Sequence, residues 1–110
     1  MSETNIKIYN KLVRDRIPEI INAKGHIIKT HVADDSEYLA SLNAKLQEEV
    51  SEYLEDESKE EIADVMEVIK SILVFNKWRV EEIEELRIDK KEKRGGFKKR
   101  IILEEVSEKK

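Results

Sequence analysis

The chain has 110 residues, 42% of them charged and 39% hydrophobic, and a formal charge of -4. That length supports one domain spanning residues 1-110, and the absence of cysteine excludes disulfides, thiolate metal sites and a cysteine nucleophile. There is no basic-then-apolar leader and no apolar run of membrane-spanning length, so a cytoplasmic protein without a membrane partner is expected.

The opening IKIYNKLVRDRIPEIINAKG reads as an extended lead-in followed by a short helix from Ile17 to Lys24, with Pro18 in its first turn and Gly25 as its stop. HIIKTHV alternates and is rich in β-branched residues, which predicts a strand over Ile27 to Val32. Asp34 and Glu37 have capping-box spacing for the next helix, where Leu39, Leu42, Leu46, Val50 and Tyr53 recur at helical steps as far as Glu55. Ser58 and Glu61 repeat the capping signature before a wider apolar face of Ile62, Val65, Met66, Ile69, Ile72 and Leu73. The short joint makes these two helices antiparallel neighbours. A helix from Val80 to Lys93 follows, then RGGF breaks the pattern and a second strand is expected over Lys99 to Val106, paired with the first. The fold class is therefore mainly all-α: an antiparallel helical bundle with a small two-stranded sheet. Aromatic residues are only 5% of the chain, so its core rests on Ile, Leu and Val and is one that a second copy would complete.

Charge is segregated along the chain. Nine carboxylates and one lysine occupy the 17 residues from Glu48 to Asp64, whereas eight of the 14 residues from Arg87 to Arg100 are basic. At about 100° per residue, Glu49 falls at the margin of the first long helix's apolar face and Glu52 one step further round. On the next helix Glu61 lies inside the apolar arc and Asp64 at its edge. Glu48 and Glu55 point more towards water. Two i,i+3 acidic pairs can thus face each other across the helix pair. An ionised carboxylate on an apolar seam is costly unless paired or metal-bound, and an all-oxygen site suits Mg²⁺, or Mn²⁺, rather than zinc. A single Glu-x-x-Glu is usually a solvated face, and Glu61 has a capping role as a rival explanation. Two pairs on consecutive helices bring the metal reading level with the solvated one.

A magnesium site of this kind serves phosphate chemistry, and a polyphosphate would also want cations. Lys90, Lys93 and Arg94 line up before Gly95 and Gly96; Lys11, Arg14 and Arg16 offer a second set. Solvated charge runs are the ordinary alternative for both. An acidic chain with few aromatics and no basic recognition helix argues against nucleic-acid binding. No chemistry is assigned to His26 or His31.

KLQEEVSEY followed by EEIADVMEV resembles the paired Glu-Glu-x-x-Glu and Glu-x-x-Asp signature of the MazG-like all-α nucleoside triphosphate pyrophosphohydrolases. YNKLVRDRIPEII and KKEKRGGFKKRIIL are similar to the flanks of the short single-domain subgroup, often labelled phosphoribosyl-ATP pyrophosphohydrolase-like. The resemblance extends from Tyr9 to Leu103. It implies Glu49, Glu52, Glu61 and Asp64 as Mg²⁺ ligands, Glu48 as the residue orienting the attacking water, and Lys11, Arg14, Lys90 and Arg94 as triphosphate contacts. The implied reaction cleaves the α–β phosphoanhydride of a nucleoside triphosphate to a monophosphate and pyrophosphate, in a homo-oligomer, dimer or tetramer, that clears the nucleotide pool. The alternatives are the phosphoribosyl-ATP step of histidine biosynthesis and a helical module that binds nucleotide without cleaving it. Only eight residues separate Glu52 from Glu61, a shorter joint than is common in the superfamily, which leaves the base unassigned.

Overall fold

The computed structural model describes residues 5-108. It contains α1 (Ile17–Ala23), α2 (Asp35–Glu55), α3 (Lys59–Phe75) and α4 (Val80–Arg94). The chain divides into two compact units, one ending at Lys77 and the other beginning at Trp78.

Helix α1 starts with Pro18 in its first turn, where the missing N–H costs no hydrogen bond, and gives way to Gly25 at φ 87. Helices α2 and α3 begin where their capping residues place them. The Asp34 carboxylate accepts from the Glu37 N–H at 2.9 Å, and the Ser58 hydroxyl accepts from the Glu61 N–H at 3.3 Å. The Ser58 N–H donates to the Asp56 carbonyl at 2.7 Å rather than to Glu61. The Glu61 side chain is thus left out of the cap, and its capping role does not account for its position.

The few residues between α2 and α3 turn the chain back on itself, and the two helices pack as an antiparallel hairpin. Tyr38, near the start of α2, meets Phe75, at the end of α3, edge to face with ring centroids 5.4 Å apart. Among the described residues the buried apolar side chains are Leu42, Val68 and Leu73, and Leu42 is the most enclosed at 2% exposure. Truncating it removes the centre of a thin core: Leu42→Ala is expected to cost about 2–5 kcal/mol, read as a fall in the urea midpoint at unchanged m-value.

The expected sheet is not formed. No strand occurs among the described residues, and both Ile27 to Val32 and Lys99 to Val106 lie without ladder partners. Ile27 and Val32 are almost wholly exposed, and Ile101, Ile102, Leu103 and Val106 are largely so. An isolated two-stranded ladder with no covered face is marginal in water, and local alternation alone supplies no such cover. The described chain is accordingly all-α.

In the second unit, α4 buries no side chain. Glu82 accepts from the Arg79 backbone N–H at 3.2 Å and from its guanidinium at 3.1 Å, closing the first turn. Lys91, Lys93 and Arg94 complement the helix dipole in the last turn, and Gly95 ends the helix at φ 86. No helix among the described residues is long and apolar enough to cross a membrane.

Candidate functional site

Glu49 lies about two turns before the end of α2, and Glu61 and Asp64 lie in the first two turns of α3, so the reversal brings them to one level of the hairpin. Glu49, Glu61 and Asp64 each offer a carboxylate oxygen within 4.8 Å of the others. Glu48, Glu49 and Glu52 make a second group of the same tightness, with Glu49 common to both. Glu52 is close enough to perturb both Glu49 and Glu61. Of the four acids expected to converge across the helix pair, Glu49, Glu61 and Asp64 meet in one group, and Glu52 is joined to it through Glu49.

Burial distinguishes this cluster from a solvated acidic face. Glu49 is 7% exposed and is the one buried charged residue among those described. Helical spacing puts it at the margin of the α2 face; the structure puts it deeper. One oxygen of Glu49, Oε2, and one of Glu61, Oε2, are buried without a hydrogen-bond partner. Burial, then the adjoining Glu52, pushes the Glu49 carboxyl above the ordinary carboxylate range. Burial likewise raises Glu61, helped by the charges of Asp64 and Glu49. A buried carboxylate and a half-buried one, each with an unpartnered oxygen and each repelling the other, want a cation between them. An all-oxygen donor set of this size fits a hard divalent ion such as Mg²⁺ or Mn²⁺.

The raised carboxyls have a consequence for stability. A carboxyl whose folded pKa exceeds its unfolded value contributes stability below the ordinary value of 4.5, and that contribution is lost as pH rises through the folded pKa. In chelator, the double variant Glu49→Gln with Glu61→Gln is expected to shed that loss, so its melting temperature should fall less than the wild-type value as pH is raised above 4.5. Parallel thermal melts across pH check this; identical profiles would show that the pair carries no strain.

Three basic side chains frame the acids. Lys11 Nζ donates to Glu48 Oε1 at 2.8 Å, and Arg14 Nη2 donates to Asp64 Oδ1 at 2.7 Å. The lead-in segment is thereby tied across the acidic edge. Lys45 Nζ donates to Glu48 Oε2 at 3.2 Å and sits 3.4 Å from Glu49 Oε1. Both oxygens of Glu48 are therefore engaged, and the bond from Lys11 holds its carboxyl below the usual range. The same bond raises Lys11. Sequence reasoning missed Lys45; its i,i+3 and i,i+4 spacing to Glu48 and Glu49 is the signal that would have found it. Lys11 and Arg14, expected on a triphosphate, here contact carboxylates.

Lys90 and Arg94 belong to the second unit, on α4. With Arg87, Lys91, Gly95 and Phe97 they line an open basic concavity of about 410 Å³. Lys93 instead pairs with Asp89 at 3.1 Å. His31 contacts Glu37 at 2.9 Å on the exposed surface, away from the acidic cluster in sequence and role.

Over 42 residues the chain is 55% identical to an uncharacterised protein of Mycolicibacterium smegmatis, a match covering 38% of this chain and 43% of that one. No family model matches the chain. No solved structure matches it either.

Proposed function

We propose that the chain is a Mg²⁺-dependent nucleotide pyrophosphohydrolase of the MazG-like kind. The observation that carries the reading is the pair of buried, unpartnered oxygens on Glu49 and Glu61, facing across the hairpin with Asp64 beside them. Glu49, Glu52, Glu61 and Asp64 would hold the ion. When bound, Mg²⁺ supplies the positive charge that phosphate oxygens need as a phosphoanhydride breaks. Lys11 and Arg14, at the rim of the same cluster, are the cations offered to the triphosphate, whereas Lys90 and Arg94 line a basic concavity of their own on α4. Glu48, kept ionised, accepts a hydrogen bond from the attacking water. Water is split across the α–β bridge, and the fragments leave as nucleoside monophosphate and pyrophosphate.

A homo-oligomer belongs to this proposal. Leu39, Val50 and Leu54 lie on one flank of α2, and Ile62, Met66 and Ile69 on the matching flank of α3, all at least 39% exposed. In an antiparallel pair these flanks fall on one side of the hairpin, opposite the acids, and a second copy would cover them. Assembly would also give the exposed segments around Ile27 and Ile101 a chance to form the expected ladder. A cytoplasmic location and a nucleotide, rather than nucleic acid, as substrate complete the proposal.

A nucleotide panel that includes phosphoribosyl-ATP, read as pyrophosphate release with Mg²⁺ and with chelator, tests activity and substrate together. Turnover of an ordinary or damaged nucleotide supports the house-cleaning role, and turnover of phosphoribosyl-ATP alone moves the chain to histidine biosynthesis. No Mg²⁺-dependent turnover with any of them contradicts the enzymatic reading.

A further inference from the structure

The ion pairs of the lead-in segment occupy the atoms that the proposed chemistry needs. Arg14 sits on Asp64 Oδ1, an oxygen of a proposed metal ligand, and Lys11 sits on Glu48 Oε1, an oxygen of the proposed water holder. Both bonds join residues far apart in sequence, so they fix the otherwise irregular lead-in to the hairpin. Neither cation is deeply enclosed: the Arg14 side chain is 57% exposed and that of Lys11 42%. They can leave for water or for a new anion at small cost. Lys45 differs, because its side chain is only 16% exposed and it is anchored on the same helix as its acids.

We infer that Arg14 is a positioning residue that couples cation and polyphosphate: it neutralises Asp64 while the site is metal-free and transfers to a phosphate oxygen once a divalent ion takes its place. Lys11 moves with it, which frees Glu48 Oε1 for a water hydrogen bond while Lys45 keeps hold of Oε2. The inference rests on the metal reading above. The exchange conserves charge at the acidic edge, since the divalent ion takes the place of two single positive charges, Arg14 and Lys11, and these meet the negative charge that arrives with the substrate. By linkage, each ligand then tightens the binding of the other by the same factor.

The signs separate this role from a merely structural one. Calorimetric titration of the metal-free full chain with Mn²⁺ alone is expected to show Arg14→Met binding about two- to fivefold more tightly than wild type, the strength of one exposed ion pair. A non-hydrolysable nucleoside triphosphate with Mn²⁺ is expected to bind the same variant about tenfold more weakly. Arg14→Lys should return both values towards wild type. Lys70→Met, which removes one exposed positive charge outside the site, controls for net charge and should leave both unchanged. If wild type takes up Mn²⁺ and Arg14→Met gains no affinity for it, or loses none for the triphosphate, the coupling is wrong and the metal site stands. If neither protein binds Mn²⁺, the coupling falls together with the metal reading.

Discussion

Glu61→Gln is expected to lower Mg²⁺-dependent pyrophosphate release at least about a hundredfold, because a positioned divalent ion supplies several kcal/mol of charge stabilisation that a neutral amide cannot anchor. The same substitution is expected to raise the melting temperature of the protein in chelator at neutral pH. Glu61 is held above its ordinary pKa chiefly by burial and by Asp64, so its ionised form is a strained one and an uncharged side chain of the same size relieves it. On the proposed metal site, added ion is expected to reverse the order: at about 100 times its dissociation constant it would stabilise wild type by roughly 2.7 kcal/mol and the variant by less. Activity measured with Mg²⁺ and melting temperature measured in chelator therefore move in opposite directions. A fall in both would mark Glu61 as a structural residue.

Ile69→Glu is expected to dissociate the proposed homo-oligomer into monomers. Ile69 is 42% exposed in the single chain, on the flank that also carries Ile62 and Met66, and the described residues enclose few apolar side chains of their own. A carboxylate on that flank must be desolvated against its own copy in a symmetric interface, which costs several kcal/mol at each of the two equivalent positions. Size-exclusion chromatography with light scattering should then report a monomer, with a melting temperature that no longer depends on protein concentration. An unchanged mass would place the interface elsewhere.

Much of the helical frame was legible in the sequence because its signals are local. Asp34 and Ser58 cap the two long helices through their own side chains, and apolar residues at three- and four-residue steps identify which faces meet. The convergence of Glu49 with Glu61 and Asp64 followed from the same arithmetic, since a short reversal leaves little freedom in how the helices align. The strands were not legible in this way. Alternation over Ile27 to Val32 describes a segment able to pair, but pairing depends on a covered face that no local pattern supplies. The engagement of Lys11 with Glu48 and of Arg14 with Asp64 was hidden for a similar reason: each pair spans a stretch of chain that includes α1 and the irregular link to α2. Lys45, by contrast, stood one turn from its acids and was readable from spacing alone.

The most direct measurement is an anomalous difference map from crystals grown with Mn²⁺. A peak within coordination distance of oxygens from Glu49, Glu61 and Asp64, with Glu52 in or beside the shell, is the predicted result. A well-ordered cluster with no peak at saturating Mn²⁺, with or without a non-hydrolysable triphosphate, would contradict it.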